Sequence, residues 1–153
     1  MFFARVAQLA TVAAALFCGS QANASPTIYG TYYDETAENF SCTTTCEVHF
    51  SQLPPNKLLM VRKVMCYISS QGRPVQAAFL VGDGTGGHLS RHFILPLPAS
   101  PTAPSDGYYR TTVDINPDWL IGQSRLPYVL VYAPAGPMSI DCTFRGDLIA
   151  PIQ

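Results

Sequence analysis

The sequence is poor in charged residues and has no cluster of one sign. Only 12% of its 153 residues are Asp, Glu, Lys or Arg, and the formal net charge is −1. Binding to the phosphate backbone of DNA or RNA requires Lys and Arg side chains gathered on one surface. We therefore expect no nucleic-acid partner.

Long apolar runs are missing after residue 25, so we expect no membrane span, which takes about 20 apolar residues. The N-terminus differs, because Arg5 precedes the apolar segment Val6–Phe17 and the small-residue motif Ala22-Asn23-Ala24 follows it. This order is typical of a secretory signal peptide with its cleavage site. We predict that residues 1–24 are a cleaved signal peptide. Residues 25–153 would then form one domain, exported to the periplasm or secreted.

Sequence signatures of catalysis are also missing. The acidic residues are scattered, and no serine lies in a G-x-S-x-G motif. The glycine-rich residues 82–87 are not followed by the Lys and Ser/Thr of a phosphate-binding loop. Glycoside hydrolysis would need two carboxyl groups in one cleft. The sequence therefore favours a protein that is not an enzyme and carries no cofactor.

Three histidines are the candidates for a metal or hydrolytic site. His88 and His92 lie four residues apart, which places their Cβ atoms about 13 Å apart on a straight strand, too far to share one metal ion. His49 would have to come from another strand. A metal-binding protein or hydrolase that uses His49, His88 and His92 remains an alternative to simple solvent-facing histidines.

Four cysteines lie after residue 24, and an even number in an exported chain indicates two disulfides. Of the three possible pairings we predict Cys42–Cys46, which closes a short loop, and Cys66–Cys142, which joins two distant strands. Zinc is the alternative, but a C-x3-C pair with two scattered cysteines is poor zinc spacing.

The longest apolar run after the N-terminal segment is Leu58–Ser69, and turn-forming residues flank it on both sides. Both of its alternating faces are mostly apolar, as in a central strand covered on both sides. Arg62-Lys63 interrupts both faces at once, which indicates a bulge or an exposed midpoint.

About eight short strand-like segments follow one another, separated by Gly, Pro and Asn turn signals. No amphipathic helix of useful length accompanies them. The pattern predicts an all-β fold, a single antiparallel β-sandwich of the jelly-roll or Greek-key kind. Two local predictions are a loop over residues 34–39 and a single helical turn over Asn116–Leu120, with Asn116 as N-cap and Pro117 at the first helical position.

Tyrosine is abundant, with eight residues beside a single tryptophan. Exposed Tyr and Trp rings form platforms for sugars or protein partners, and sandwiches bind ligands at their loops. Tyr108, Trp119 and Tyr128 fall near loop ends and are the candidate ligand-binding residues, although a core of this size needs large side chains and the simpler interpretation is that the rings fill the sandwich and its rims. We predict a non-catalytic binding or structural module that faces a glycan or another exported protein. A pilus-type subunit, in which a strand of one chain completes the sheet of another, is a further alternative.

Overall fold

The computed structural model describes residues 25–83, 88–99 and 105–151. The predicted signal peptide and the glycine-rich residues 84–87 lie outside these ranges. The described residues form ten strands and no helix. The strands are β1 Thr27–Tyr29, β2 Tyr32–Cys42, β3 Thr45–His49, β4 Leu58–Ser70, β5 Gln76–Gly82, β6 His88–Ile94, β7 Tyr109–Ile115, β8 Trp119–Ile121, β9 Leu126–Tyr132 and β10 Met138–Ile149.

Two antiparallel sheets pack face to face around one apolar core. The six-stranded sheet has the order β1-β2-β10-β4-β7, and β8 also pairs with β4. The four-stranded sheet has the order β3-β9-β5-β6. The predicted all-β antiparallel sandwich is confirmed, with ten strands where the turn signals indicated about eight.

Strand β4 lies between β10 and β7, as its apolar composition predicts. On β10, Arg145 pairs with Lys63 of β4, and the next residue, Gly146, pairs with Val61. Arg62 lies between these two partners and is therefore the extra residue of a β-bulge. The bulge falls where the sequence indicates one. It resets the alternation, so Val61 and Val64 both point into the core. Only this inner face of β4 is covered, because the opposite face is open to solvent at Tyr67.

Gly146 faces this bulge, and a side chain there would collide with backbone. An added Cβ would meet the carbonyl oxygen of Met60 well inside van der Waals contact. We expect Gly146→Ala to lower the free energy of unfolding by about 1–3 kcal/mol, because the two central strands must separate to admit the methyl group. Urea denaturation measures the change.

Gly122→Ala is the matched control, since its added Cβ would lie 3.7 Å from the flexible side chain of Arg125. That variant should unfold at nearly the wild-type urea concentration. Equal losses for the two substitutions would contradict the backbone-collision argument.

The predicted loop over residues 34–39 is wrong, because these residues form the middle of β2. Tyr33, Glu35 and Ala37 point inward and are buried, while Asp34 and Thr36 point outward. The alternation is that of a half-buried strand. In the sequence this alternation is hard to recognise because a charged residue, Glu35, occupies one of the inward positions.

The predicted helical turn over Asn116–Leu120 is also wrong. Trp119 begins β8, which pairs with Leu59 and Val61 of β4. Asp118 has a φ of +45°, which no right-handed helix accommodates. The Asp118 carboxylate instead binds Arg62 at 2.9 Å. Sheet pairing therefore overrides the local capping signal.

Both predicted disulfides are confirmed. Cys42–Cys46 joins the end of β2 to β3 and so links the two sheets. Cys66 and Cys142 are directly opposed on β4 and β10 and link the two central strands of the six-stranded sheet. Disulfides persist in oxidising compartments, which indicates an extracytoplasmic location. No thiol among these four remains for zinc.

Candidate functional site

The three predicted ligand-binding aromatics lie on different parts of the sandwich. Tyr108 precedes β7, beside the end of β4. Trp119 pairs with Val61 near the other end of β4, about 30 Å away along the strand. Tyr128 belongs to the four-stranded sheet. The structure does not bring the three rings together.

Their surroundings differ as well. The half-buried ring of Trp119 packs edge-on against Phe79 at 5.6 Å, and the guanidinium of Arg91 lies 4.8 Å from its centroid. Tyr128 is only 2% exposed, and the ring of His49 stacks on it at 5.2 Å. Burial raises the pKa of the Tyr128 phenol, with a further contribution from Glu47. Tyr108 lines a small surface depression of about 160 Å³.

The histidines are also apart. His49 on β3 and His92 on β6 occupy the two edges of the four-stranded sheet, three strand spacings or about 14 Å from each other. His49 Nε2 lies 3.0 Å from a carboxylate oxygen of Glu47. The backbone of His88 pairs with Gly82, and its side chain lies outside the described part of the chain. Among the described residues, no group of three or more His, Cys, Asp or Glu side chains could hold a metal ion.

The outer face of the six-stranded sheet does bring outward side chains together, in rows that cross β2, β10, β4 and β7. Two adjacent rows run Thr36, Thr143, Met65, Asp114 and Glu38, Asp141, Tyr67, Thr112. Polar residues dominate both rows. Met65 and Tyr67, side by side on β4, are the exceptions.

An open depression of about 220 Å³ lies in these rows. Tyr67, which is 46% exposed, lines it together with Met65, and Asp141, Thr112 and Thr143 lie around them. The depression therefore combines an accessible aromatic ring with carboxylate and hydroxyl groups.

Most polar groups near this ring already have protein partners. Asp114 forms an ion pair with Lys63 at 3.1 Å, and the hydroxyls of Thr36 and Thr143 lie 2.7 Å apart. Asp141 differs. Within the described ranges its carboxylate makes no hydrogen bond or ion pair. It stands directly opposite Glu38, whose like charge keeps the two carboxylates from pairing.

Arg110 completes the surroundings of Tyr67. Its guanidinium donates to Asp106 at 2.6 Å, which raises the pKa of Arg110, and Tyr67 contributes further to that rise. The Tyr67 ring thus has a cation on one side and the carboxylate of Asp141 on the other. This arrangement can stack on a flat ligand and accept hydrogen bonds from its hydroxyl groups.

Sequence reasoning did not select Tyr67, because it lies in mid-strand and not near a loop. Its neighbours in the depression, Asp141 and Thr112, come from strands distant in sequence. The sequence signal for this depression is the spacing of Met65 and Tyr67, two residues apart after Arg62-Lys63. Because of the bulge, both side chains lie on the outer face of β4.

Within the described part of the chain no helix is long and apolar enough to cross a membrane. No protein-family model matches this chain, and no curated protein matches it.

Proposed function

We propose that this chain is an exported, non-catalytic binding module that holds a glycan on the outer face of its six-stranded sheet. One observation carries the proposal. The exposed ring of Tyr67 stands beside the carboxylate of Asp141, which has no hydrogen-bond or ion-pair partner among the described residues, in a depression of about 220 Å³. The two disulfides and the predicted signal peptide support export.

A sugar ring has an apolar C–H face and a rim of hydroxyl groups. The apolar face packs on an exposed aromatic ring, which is large and rigid and offers contact area at a small entropic cost. The hydroxyl rim donates to carboxylates, and hydrogen bonds to an ionised acceptor are stronger than neutral ones. Tyr67 and Asp141 supply these two kinds of contact side by side.

The depression is smaller than the pockets of about 300–1,000 Å³ that enclose drug-sized ligands. It suits one ring of a chain that continues across the surface. Such a continuation exists, since Tyr108, Ser69 and the exposed Phe40 line a second depression of about 160 Å³. Ser69 is the next outward residue after Tyr67, about 7 Å along β4. An oligosaccharide can therefore contact Tyr67 with one ring and Tyr108 with another.

The residues of this face support hydrolysis of a glycan less well than they support binding. Glycosidases place two carboxyl groups on either side of the scissile bond, with a separation set by the mechanism. Glu38 and Asp141 are neighbours on one sheet surface, so they approach a ligand from the same side. Asp114 is held by Lys63. Binding without bond cleavage is what these positions support.

The test is titration of the exported protein with soluble oligosaccharides of differing composition and length, followed by calorimetry. We expect at least one to bind, and Tyr67→Ala to weaken it by about tenfold or more, which corresponds to about 1.4 kcal/mol of lost stacking and contact. Asp141→Asn should also weaken it, because the amide accepts hydrogen bonds less strongly.

Tyr132→Ala is the matched control, since Tyr132 is exposed to a similar degree on the other sheet. It should bind as wild type does. Absence of binding across neutral, acidic and aminated glycans would refute the proposal, and so would an equal loss in both tyrosine variants.

A further inference from the structure

Four exposed or half-buried tyrosines lie along one diagonal of the outer face of the six-stranded sheet. Tyr108 lies beside the end of β4, where its ring lines a depression together with Ser69. Tyr67 follows on β4, Tyr32 lies on β2, and Tyr29 lies on the edge strand β1. Tyr108 and Tyr67 belong to the glycan site proposed above, and the other two rings lie outside it.

Tyr29 and Tyr32 form an aromatic pair at the turn between β1 and β2. They are directly opposed across the two strands, so their Cβ atoms lie about 5 Å apart. Gly30 has a φ of +61°, as the first turn position of a two-residue hairpin requires. Tyr29 is 73% exposed and Tyr32 is 40% exposed. Both side chains point outward, since the neighbouring Tyr33 is buried in the core. The turn therefore holds two accessible rings side by side.

The strand registers give the distance from this pair to Tyr67. Tyr32 pairs with Asp147 of β10, and Asp141, six residues earlier on β10, pairs with Tyr67. Six residues span about 20 Å along a strand, and β2 lies two strands, or about 10 Å, to the side of β4. The two aromatic sites are thus about 22 Å apart on the diagonal. A single sugar ring cannot reach both, but a chain of several rings can.

Hydrogen-bonding groups line the path between the two aromatic sites. The hydroxyls of Thr36 and Thr143 lie 2.7 Å apart in the first row of this path. In the next row Arg145 Nε donates to the carboxylate of Asp34 at 3.1 Å. The Tyr32 hydroxyl also donates to Asp34, at 3.0 Å. Hydroxyl, carboxylate and guanidinium groups such as these can exchange hydrogen bonds with the hydroxyl groups of a sugar.

A protein partner fits the region of the tyrosine pair less well than a glycan does. Beside Tyr32 on β10 lies Asp147, which forms an ion pair with Arg62 at 3.0 Å. The exposed Leu120 lies farther along the same row. A protein that covered both apolar parts would bury the ion pair between them, whereas the cores of protein interfaces are depleted in charged residues. A hydrated glycan can instead hydrogen-bond to this ion pair.

We propose that Tyr29 and Tyr32 form a second aromatic subsite for the glycan held at Tyr67, and that the ligand is a polysaccharide chain that lies diagonally across the sheet. This inference rests on the proposed function and extends it to the length of the ligand. Binding at one subsite raises the effective concentration of the same chain at the other. Affinity therefore rises once a chain is long enough to contact both.

Calorimetric titration of the exported protein with a length series of oligosaccharides tests this subsite. The probes are soluble oligomers of glucose, N-acetylglucosamine, glucosamine and galacturonic acid, each with about two to ten rings. For at least one composition, we expect the longest oligomer to bind about tenfold or more tightly than the shortest. Tyr29→Ala/Tyr32→Ala should remove this gain and leave the affinity for the shortest oligomer unchanged, which also shows that the variant is folded. Tyr132→Ala, on the other sheet, should keep the gain.

The length series separates the two proposals. If no oligomer of any length binds, both proposals are wrong. If short oligomers bind, are weakened by Tyr67→Ala and gain nothing with length, the second subsite alone is refuted. A gain with length that persists in Tyr29→Ala/Tyr32→Ala would also refute it, because the additional contacts would then lie elsewhere on the protein.

Discussion

Replacing Cys66 and Cys142 together by alanine should lower the free energy of unfolding by about 4–5 kcal/mol. The two cysteines are 76 residues apart in sequence, and in the chain-entropy model a loop of this length contributes about 4.5 kcal/mol by restricting the unfolded chain. Domains of this size unfold with about 5–15 kcal/mol in total. Loss of this bond therefore removes a large part of the stability.

The second disulfide supplies the matched control. Cys42 and Cys46 are four residues apart, and the same model gives about 2 kcal/mol for so short a loop. Urea denaturation of the two double-alanine variants should show the larger loss of unfolding free energy for Cys66→Ala/Cys142→Ala. The two free energies are compared with the same dependence on urea concentration. Equal losses, or a larger loss for the short loop, would mean that loop closure does not determine the contribution of these bonds.

The elements that sequence reasoning located are those whose signal is local and apolar. Strand β4 and its bulge follow from an uninterrupted apolar run broken only at Arg62-Lys63. Strand β10 carries the same kind of signal, since Ile140, Cys142 and Phe144 alternate along it and are all buried. The pairing Cys66–Cys142 then joins the two strongest strands. In these cases the side-chain pattern and the tertiary environment agree.

The errors arise where long-range pairing overrides a local pattern. In β2 the inward position of Glu35 breaks the apolar alternation, so the strand resembles a polar loop. Just before β8, the Asn116-Pro117 pair resembles a helix start, but the pairing of β8 with β4 determines the backbone. The depression at Tyr67 was not predictable for the same reason. Its position depends on registers between strands that are distant in sequence.

Glu35 is the residue that best illustrates this long-range determination. Glu35 is 2% exposed, and its side chain lies on the inner side of β2. It accepts hydrogen bonds from the Tyr33 hydroxyl, from the backbone N–H of Ser51 at 2.9 Å and from the Ser51 hydroxyl at 2.8 Å. Ser51 follows β3 of the four-stranded sheet. The two Ser51 donors therefore tie the carboxylate to the other sheet, while the Tyr33 hydroxyl holds it from its own strand.

Burial raises the pKa of the Tyr33 phenol, and the hydrogen bond to Glu35 raises it further. The phenol consequently keeps its proton through the neutral range and remains a donor to the carboxylate. Glu35 is the acceptor for the Tyr33 hydroxyl and for the Ser51 N–H, and Tyr33 is buried beside Phe144 in the core. A buried donor without an acceptor costs about 1–3 kcal/mol.

We expect Glu35→Ala to lower the free energy of unfolding by about 3–4 kcal/mol, because it orphans the Tyr33 hydroxyl and the Ser51 N–H and leaves a void between the sheets. Glu35→Gln keeps the volume and one acceptor oxygen, so its loss should be about half as large. Glu38→Ala, outward on the same strand and opposite Asp141, should change stability by less than about 0.5 kcal/mol. Urea denaturation at neutral pH compares the three. If Glu38→Ala cost as much as Glu35→Ala, the loss would reflect strand propensity in β2, and the hydrogen bonds from Ser51 to Glu35 would not be what joins the sheets there.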